Sequence, residues 1–237
     1  MNLVLLFDDD FVSADCVRLT GRRLQHVAQI HRAKPGDELT VGVAGGRIGR
    51  GRITDLREDA LEMEVVLDRE PPPPLGVTLV LALPRPKVLN RVIASTASMG
   101  VKRIYLVNAW RVEKSYWKSP RVDPANLAAQ AILGLEQARD TILPDIHLRR
   151  FFRPFAEDEL PRLIAGTRAL VAHPYAGDAV PRATSEAVTL AVGPEGGFTG
   201  EEIASLAAIG FVAVHLGPRI LRVETAVTAL LARLSHS

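Results

Sequence analysis

Four consecutive prolines, Pro71 to Pro74, constrain this chain more than any other feature. Each fixes its own φ and lacks an N–H, so the run fits neither a helix interior nor a central strand and forms a stiff, extended connector. The pattern differs on its two sides. Before it, short strands are predicted at Leu3 to Phe7, Glu38 to Val43, Arg47 to Asp55 and Ala60 to Leu67, with Gly45-Gly46 as a hairpin turn and a helix-like interval at Arg22 to Ile30. So many short strands in so few residues predict a small barrel. After the prolines, apolar strands at Val77 to Leu83, Arg103 to Val107, Arg168 to Ala172, Val188 to Val192 and Phe211 to Leu216 alternate with amphipathic segments. Helices are predicted over Lys87 to Met99, from the cap Asp123 and Pro124 to about Arg139, from the capping-box pair Thr199 and Glu202 to Gly210, and over Arg222 to Leu234. That alternation predicts a parallel α/β sheet. The expected organisation is therefore a barrel over 1–70, a linker at 71–74 and an α/β domain over 75–237.

Composition narrows the class. With 237 residues and 47% hydrophobic content the chain can bury an ordinary core. A single cysteine, Cys16, allows no intrachain disulfide, and no Cys/His cluster has metal-ligand spacing, so a metal-free intracellular protein is expected. Met1 to Leu6 is apolar but lacks a basic flank and runs into Asp8, Asp9 and Asp10, and no apolar run reaches membrane-spanning length. These features predict a cytoplasmic protein without a targeting segment or membrane partner. Charge is unevenly divided: residues 1–70 hold 10 Lys+Arg against 13 Asp+Glu, the rest 19 against 14. Lys102, Arg103, Arg111, Lys114, Lys118 and Arg121 lie close together against Glu113 alone, interleaved with Tyr105, Trp110, Tyr116 and Trp117. Cations neutralise phosphates and flat rings stack on unpaired bases, so this run suits single-stranded or looped RNA. Its bland alternative is a solvated loop with buried aromatics.

Two turns carry the chemistry. Val192-Gly193-Pro194-Glu195-Gly196-Gly197-Phe198-Thr199 follows an apolar strand and precedes a capped helix. Ligands of open α/β sheets bind at such carboxyl ends, and side-chain-poor turns let backbone N–H and C=O groups approach them closely. The next strand is followed by Leu216-Gly217-Pro218-Arg219-Ile220-Leu221-Arg222-Val223-Glu224-Thr225. Neither is a P-loop or a dinucleotide fingerprint, which disfavours a nucleotide triphosphatase and a Rossmann dehydrogenase.

These paired turns resemble the signature of the 16S ribosomal RNA uridine N3-methyltransferases of the SPOUT class, and the resemblance extends to His26 to Asp37, Met99-Gly100-Val101 and Glu136-Gln137. It implies a small N-terminal PUA-like β-barrel that helps hold RNA, and a C-terminal SPOUT α/β domain whose chain threads a deep trefoil knot. It further implies S-adenosylmethionine bound in the knot without metal, a homodimer, and ribosomal RNA of the small subunit or its assembly intermediate as partner.

Residue by residue, the resemblance assigns the cofactor wall to Leu170, Ala172 and His173, to Val192, Gly193, Pro194, Glu195, Gly196 and Gly197, and to Leu216, Gly217, Ile220 and Leu221. Glu195 also reads as a carboxylate tying up N–H groups of its own turn. Arg219 and Arg222 are the candidates to stabilise the anion developing on the uracil oxygens, with Glu224 as proton acceptor or arginine orienter. The expected RNA contacts are Arg22, Arg23 and Arg32 of the barrel, with Arg103, Arg111, Lys114 and Lys118. This chain departs from the family at Leu5, where an arginine is usual, at Ser95 and Ser98 in place of lysine and glutamate, and at Ala138-Arg139-Asp140; these positions are expected to face RNA or the target base. Two alternatives stay open: methylation of another RNA or base, and a non-catalytic RNA-binding protein with a vestigial methyltransferase fold.

Overall fold

The structure, a computed structural model, describes residues 2–28, 33–183 and 185–235. The chain forms two compact units, Met1–Pro73 with Ile132–Leu143, and Pro74–Ala131 with Pro144–Ser237.

In the first unit, β1 (Val4–Leu6), β2 (Cys16–Leu19), β3 (Glu38–Val43), β4 (Ile48–Leu56) and β5 (Leu61–Arg69) form one sheet in the order β1-β3-β4-β5-β2. β1 runs parallel to β3, and the other neighbours are antiparallel. Register shifts at Ile48/Gly49 and Ile53/Asp55 bulge the β4–β5 ladder. Bulges bend a strand and increase its twist, which curls the sheet. Gly49 is required at the first of them, because a Cβ there would run into the Val66 carbonyl. One face of the curl encloses Val4, Leu6, Val17, Leu19, Val41, Ile53 and Met63, joined by Leu24 of α1 (Gly21–His26).

Side chains alternate across a strand, so Leu5, with Leu3 just before β1, falls on the opposite face and packs with Ile48 and Ile132. The strip 132–143 covers that face. The N–H groups of Asn2 and Leu3 donate to the Glu136 carbonyl, Gly45 N–H donates to Thr141 C=O, and the Thr141 hydroxyl donates to Gly46 C=O. Two expectations change here. Leu5 is fully buried, so it faces core rather than RNA. Asp140 is also buried, and its carboxylate accepts Ile142 N–H within its own turn. β2 has no counterpart among the expected strands; its four residues include a cysteine and an arginine, and pairing with β5 defines it. Of the expected helix from Arg22 to Ile30, α1 accounts for the start, and residues 29–32 lie outside the described ones.

The second unit contains β6 (Val77–Ala82), β7 (Arg103–Val107), β8 (Asp145–Arg149), β9 (Arg168–Ala172), β10 (Asp178–Ala179), β11 (Val188–Val192) and β12 (Val212–His215). They form one sheet in the order β10-β12-β9-β11-β6-β7-β8, parallel at every pairing. A parallel sheet is covered on both faces, which is why β6 and β11 are nearly continuous apolar runs. The helices are α2 (Pro86–Ser98), α3 (Pro124–Ala138), the short α4 (Phe152–Pro154) and α5 (Leu160–Leu163), α6 (Gly200–Ala208) and α7 (Val223–Leu234), with α2 packed on α7. α3 begins in this unit, and its residues from Ile132 on belong to the first. Late in sequence, β11 lies between β9 and β6 at the middle of the sheet. β8 and β10 escape the sequence reading because one is a mixed polar strand at the sheet edge and the other has two residues.

Candidate active site

β9 lies between β12 and β11, and its Ala172 pairs with Val214 on one side and Val192 on the other. The three strands therefore finish level, and their turns leave the same edge of the sheet. There they enclose a cavity of about 380 Å³, within the size range of small-molecule sites. Ala172 and His173 form one wall, 192–197 a second, and Leu216, Gly217, Arg219, Ile220 and Leu221 a third. Val223, Ala226 and Leu230, the apolar stripe of α7, contribute a fourth side.

Two glycines are explained by this geometry. At Gly193 a Cβ would lie 2.9 Å from the backbone nitrogen of Phe198, so the turn closes on itself only without a side chain. Gly197 has φ +72°, a left-handed conformation that glycine adopts without strain. Beyond it, the expected capping box is present: Thr199 Oγ1 accepts Glu202 N–H at 3.2 Å and Glu202 Oε2 accepts Thr199 N–H at 2.8 Å. The other carboxylate oxygen of Glu202 accepts Trp110 N–H at 2.8 Å, tying the loop after β7 to the turn after β11. Glu195 is engaged beyond its own turn, since its Oε1 accepts the N–H of Arg85, the residue capping α2, at 3.0 Å. Arg111 points to the same turn and donates from Nη1 to Gly196 C=O.

His173 and His215 hold matching positions at the ends of β9 and β12. His173 Nδ1 accepts Tyr175 N–H at 3.3 Å and His215 Nδ1 accepts Gly217 N–H at 2.9 Å, so each ring braces the turn that follows its own strand. Pro174, Tyr175 and His215 line the cavity and were not among the expected site residues. Their signal in the sequence is the repeated histidine two positions before a turn residue.

Not every expected wall residue reaches the cavity. Leu170 lies on the same side of β9 as Ala172, one pleat deeper, and is buried in the sheet. Of the expected catalytic set, Arg219 lines the cavity. Arg222 caps α7 with an extended backbone (φ −66°, ψ 152°), and Glu224 in the first turn of α7 faces Arg91 of α2 at 3.7 Å; neither contributes to the lining.

The expected RNA contacts separate. Arg23 donates to both oxygens of buried Asp10 and to Leu5 C=O, and Arg22 donates to buried Glu136 at 3.0 and 3.2 Å, so both are committed inside the first unit. Arg32 lies outside the described residues. Arg103 opens β7 at the amino edge of the sheet, about 16 Å by strand rise from the loop that holds Arg111. Lys114 and Lys118 stand exposed on a 3₁₀ turn, Lys114–Lys118. Among the aromatics, Tyr105 is core, stacked on His147 at 4.7 Å, and Trp110 is the exposed one. The described residues contain no group of three His, Cys, Asp or Glu able to hold a metal ion, and no helix of them is long and apolar enough to cross a membrane.

The chain is similar to known proteins. A family model for the RNA methyltransferase domain matches residues 71–235. The ribosomal RNA small subunit methyltransferase E of Treponema pallidum is 31% identical over 98% of this chain and 90% of its own length. That of Mycobacterium bovis is 29% identical over 87% of this chain and 80% of its own. Among solved structures, a ribosomal RNA small subunit methyltransferase E from Neisseria gonorrhoeae bound to S-adenosyl methionine shares the fold, with a TM-score of 0.78 at 24% identity over 97% of this chain and 95% of that one. With one relationship covering the α/β unit and the other nearly the whole length, the chain belongs to the ribosomal RNA small subunit methyltransferase E family of RNA methyltransferases.

Proposed function

We propose that this protein transfers a methyl group from S-adenosylmethionine to N3 of a uridine in the RNA of the small ribosomal subunit, acting as a cytoplasmic homodimer of the SPOUT class. The observation that carries this reading is the meeting of three level strand-end turns on one largely apolar cavity, in a chain related over nearly its full length to proteins named for that subunit's RNA. The lining suits a nucleoside cofactor. Val192, Leu216, Ile220 and Leu221 offer an apolar clamp for a purine, and the glycine-bearing turns free backbone groups for its polar edge. S-adenosylmethionine, when bound, supplies an electrophilic methyl carbon.

The chain's own residues do the rest. Arg219 at the cavity and Arg222 beyond it would donate to the uracil oxygens as negative charge grows there, and Glu224, beside Arg91, would accept the N3 proton as the methyl carbon passes from sulfur to N3, its bond to sulfur breaking as the bond to nitrogen forms. We read the curled sheet of 1–70 as a PUA-like barrel joined by the 71–74 linker to the methyltransferase domain over 75–237. The late insertion of β11 between β9 and β6 supports a trefoil knot around the cavity.

Mapping methylated nucleotides in ribosomal RNA from a strain with and without this gene tests the reading. A single N3-methyluridine in the small-subunit RNA that disappears with the gene is the expected result; an unchanged map overturns it.

A further inference from the structure

The carboxyl edge of the sheet does not end at the cavity. Because all seven strands are parallel, the loops that follow β7 and β8 leave by the same edge as the cavity turns. Sheet order brings the β7 loop two strand spacings and the β8 loop three from β11, about 10 and 14 Å, the length of about three to four nucleotides stacked at 3.4 Å. They hold two of the most exposed apolar side chains of the molecule, Trp110 at 84% and Phe151 at 73%.

Neither ring stands on a slack loop. Trp110 N–H is fixed by Glu202, and Asn108 N–H donates to Arg149 C=O at 2.9 Å, tying the two loops together. Trp117 Nε1 donates to Asn108 Oδ1 at 2.9 Å, and the Arg150 guanidinium sits 5.8 Å from the Trp117 ring centroid. Lys114, Lys118 and Arg150 are exposed and form no ion pair among the described residues. Beside Trp110 opens a recess of about 1010 Å³ bounded by Phe152, Arg153 and the first turn of α6, with Glu157 and Glu201 at its rim. Glu157 is already paired with Arg153 at 2.7 Å, which leaves Glu201 as the carboxylate able to accept the N–H edge of a base. The chemistry is that of a base turned inward and a backbone turned outward.

We infer that Trp110 and Phe151 are stacking platforms for unpaired bases of the RNA, flanking the nucleotide presented to the cavity, with Lys114, Lys118 and Arg150 taking the phosphates. This rests on the reading of the protein as an RNA methyltransferase and deepens it. Exposed aromatic rings held among cations and next to a groove recognise single strands, because every base has a face to stack while a duplex hides it.

Binding of a fluorescein-labelled dodecauridine and of a 12-base-pair RNA duplex, measured by anisotropy between 50 and 200 mM salt, tests the inference. The single strand is expected to bind more tightly than the duplex. Trp110→Ala and Phe151→Ala should each weaken it roughly tenfold, while Trp110→Phe keeps most of the affinity. Neither alanine variant removes charge, so the salt slope should stay put, whereas Lys114→Ala with Lys118→Ala should flatten it by about 1.4 units. Wild-type affinity in both alanine variants, or a duplex bound as tightly as the single strand, overturns the platform. Titration calorimetry with S-adenosylmethionine separates this from the parent reading: Trp110→Ala should bind it like the wild type, and a wild type that binds none refutes methyl transfer while the oligomer data still decide the platform.

Discussion

Arg222 stands where binding and chemistry separate. Its backbone opens α7 but its side chain is exposed and outside the cavity lining, so it is free to meet a base without holding the cofactor. Arg222→Ala should therefore leave cofactor affinity near wild type and slow methyl transfer on the order of a hundredfold, the scale of losing one donor to a developing anion. Lysine should restore only part of the rate, since it lacks the guanidinium fork. Single-turnover methylation of substrate RNA at saturating cofactor reads this directly, and a wild-type rate for the alanine variant removes Arg222 from the mechanism. Gly197 behaves in the opposite way. Beyond its chain neighbours no atom lies within 4 Å of a Cβ built there, so added bulk meets open space beside the cavity turn, but φ +72° is costly for a branched residue. Gly197→Val should abolish S-adenosylmethionine binding in calorimetry and Gly197→Ala should weaken it; unchanged affinity in the valine variant would remove this turn from the cofactor site.

At the scale of elements, Glu202 does more than cap its helix. Its two carboxylate oxygens accept N–H groups from Thr199 and Trp110, one on the turn after β11 and one on the loop after β7. Losing a cap costs about 1 kcal/mol and orphaning the part-buried Trp110 N–H adds about 1–3 kcal/mol. Glu202→Ala should thus lower the melting temperature by roughly 4–16 °C, at 2–4 °C per kcal/mol for a chain of this size. Glutamine should recover about half, because only one of its two terminal atoms accepts; a melting curve that does not move would show that both N–H groups find water instead. The capping box itself was legible, since Thr199 and Glu202 have the spacing that defines it, and so were β6, β9 and β11, whose apolar runs are what a doubly covered strand requires. The Trp110 partner was not, because sequence spacing carries no record of a residue 92 positions away. For the same reason the bracing of the two histidines, the pairing of Glu195 with Arg85 and the burial of Leu5 became visible only once strands had registers.

For the whole molecule, the first unit is built from two separated stretches of chain. Leu3, Leu5 and Ile48 make up an apolar face whose cover, including Ile132, Glu136 and Thr141, comes from 132–143. A fragment ending at Pro73 should therefore expose that face, bind a hydrophobic dye and aggregate, even though it holds all five strands. A fragment 1–73 that gives a cooperative melt and a sharp NMR spectrum would count against this dependence. The same construction sets an order of events during translation. The five strands leave the ribosome about seventy residues ahead of the strip that closes over them, which at 5–20 residues per second is a wait of roughly 4–14 s. For that interval the nascent chain carries an uncovered apolar face, an opening for a chaperone that proteins with contiguous domains do not present.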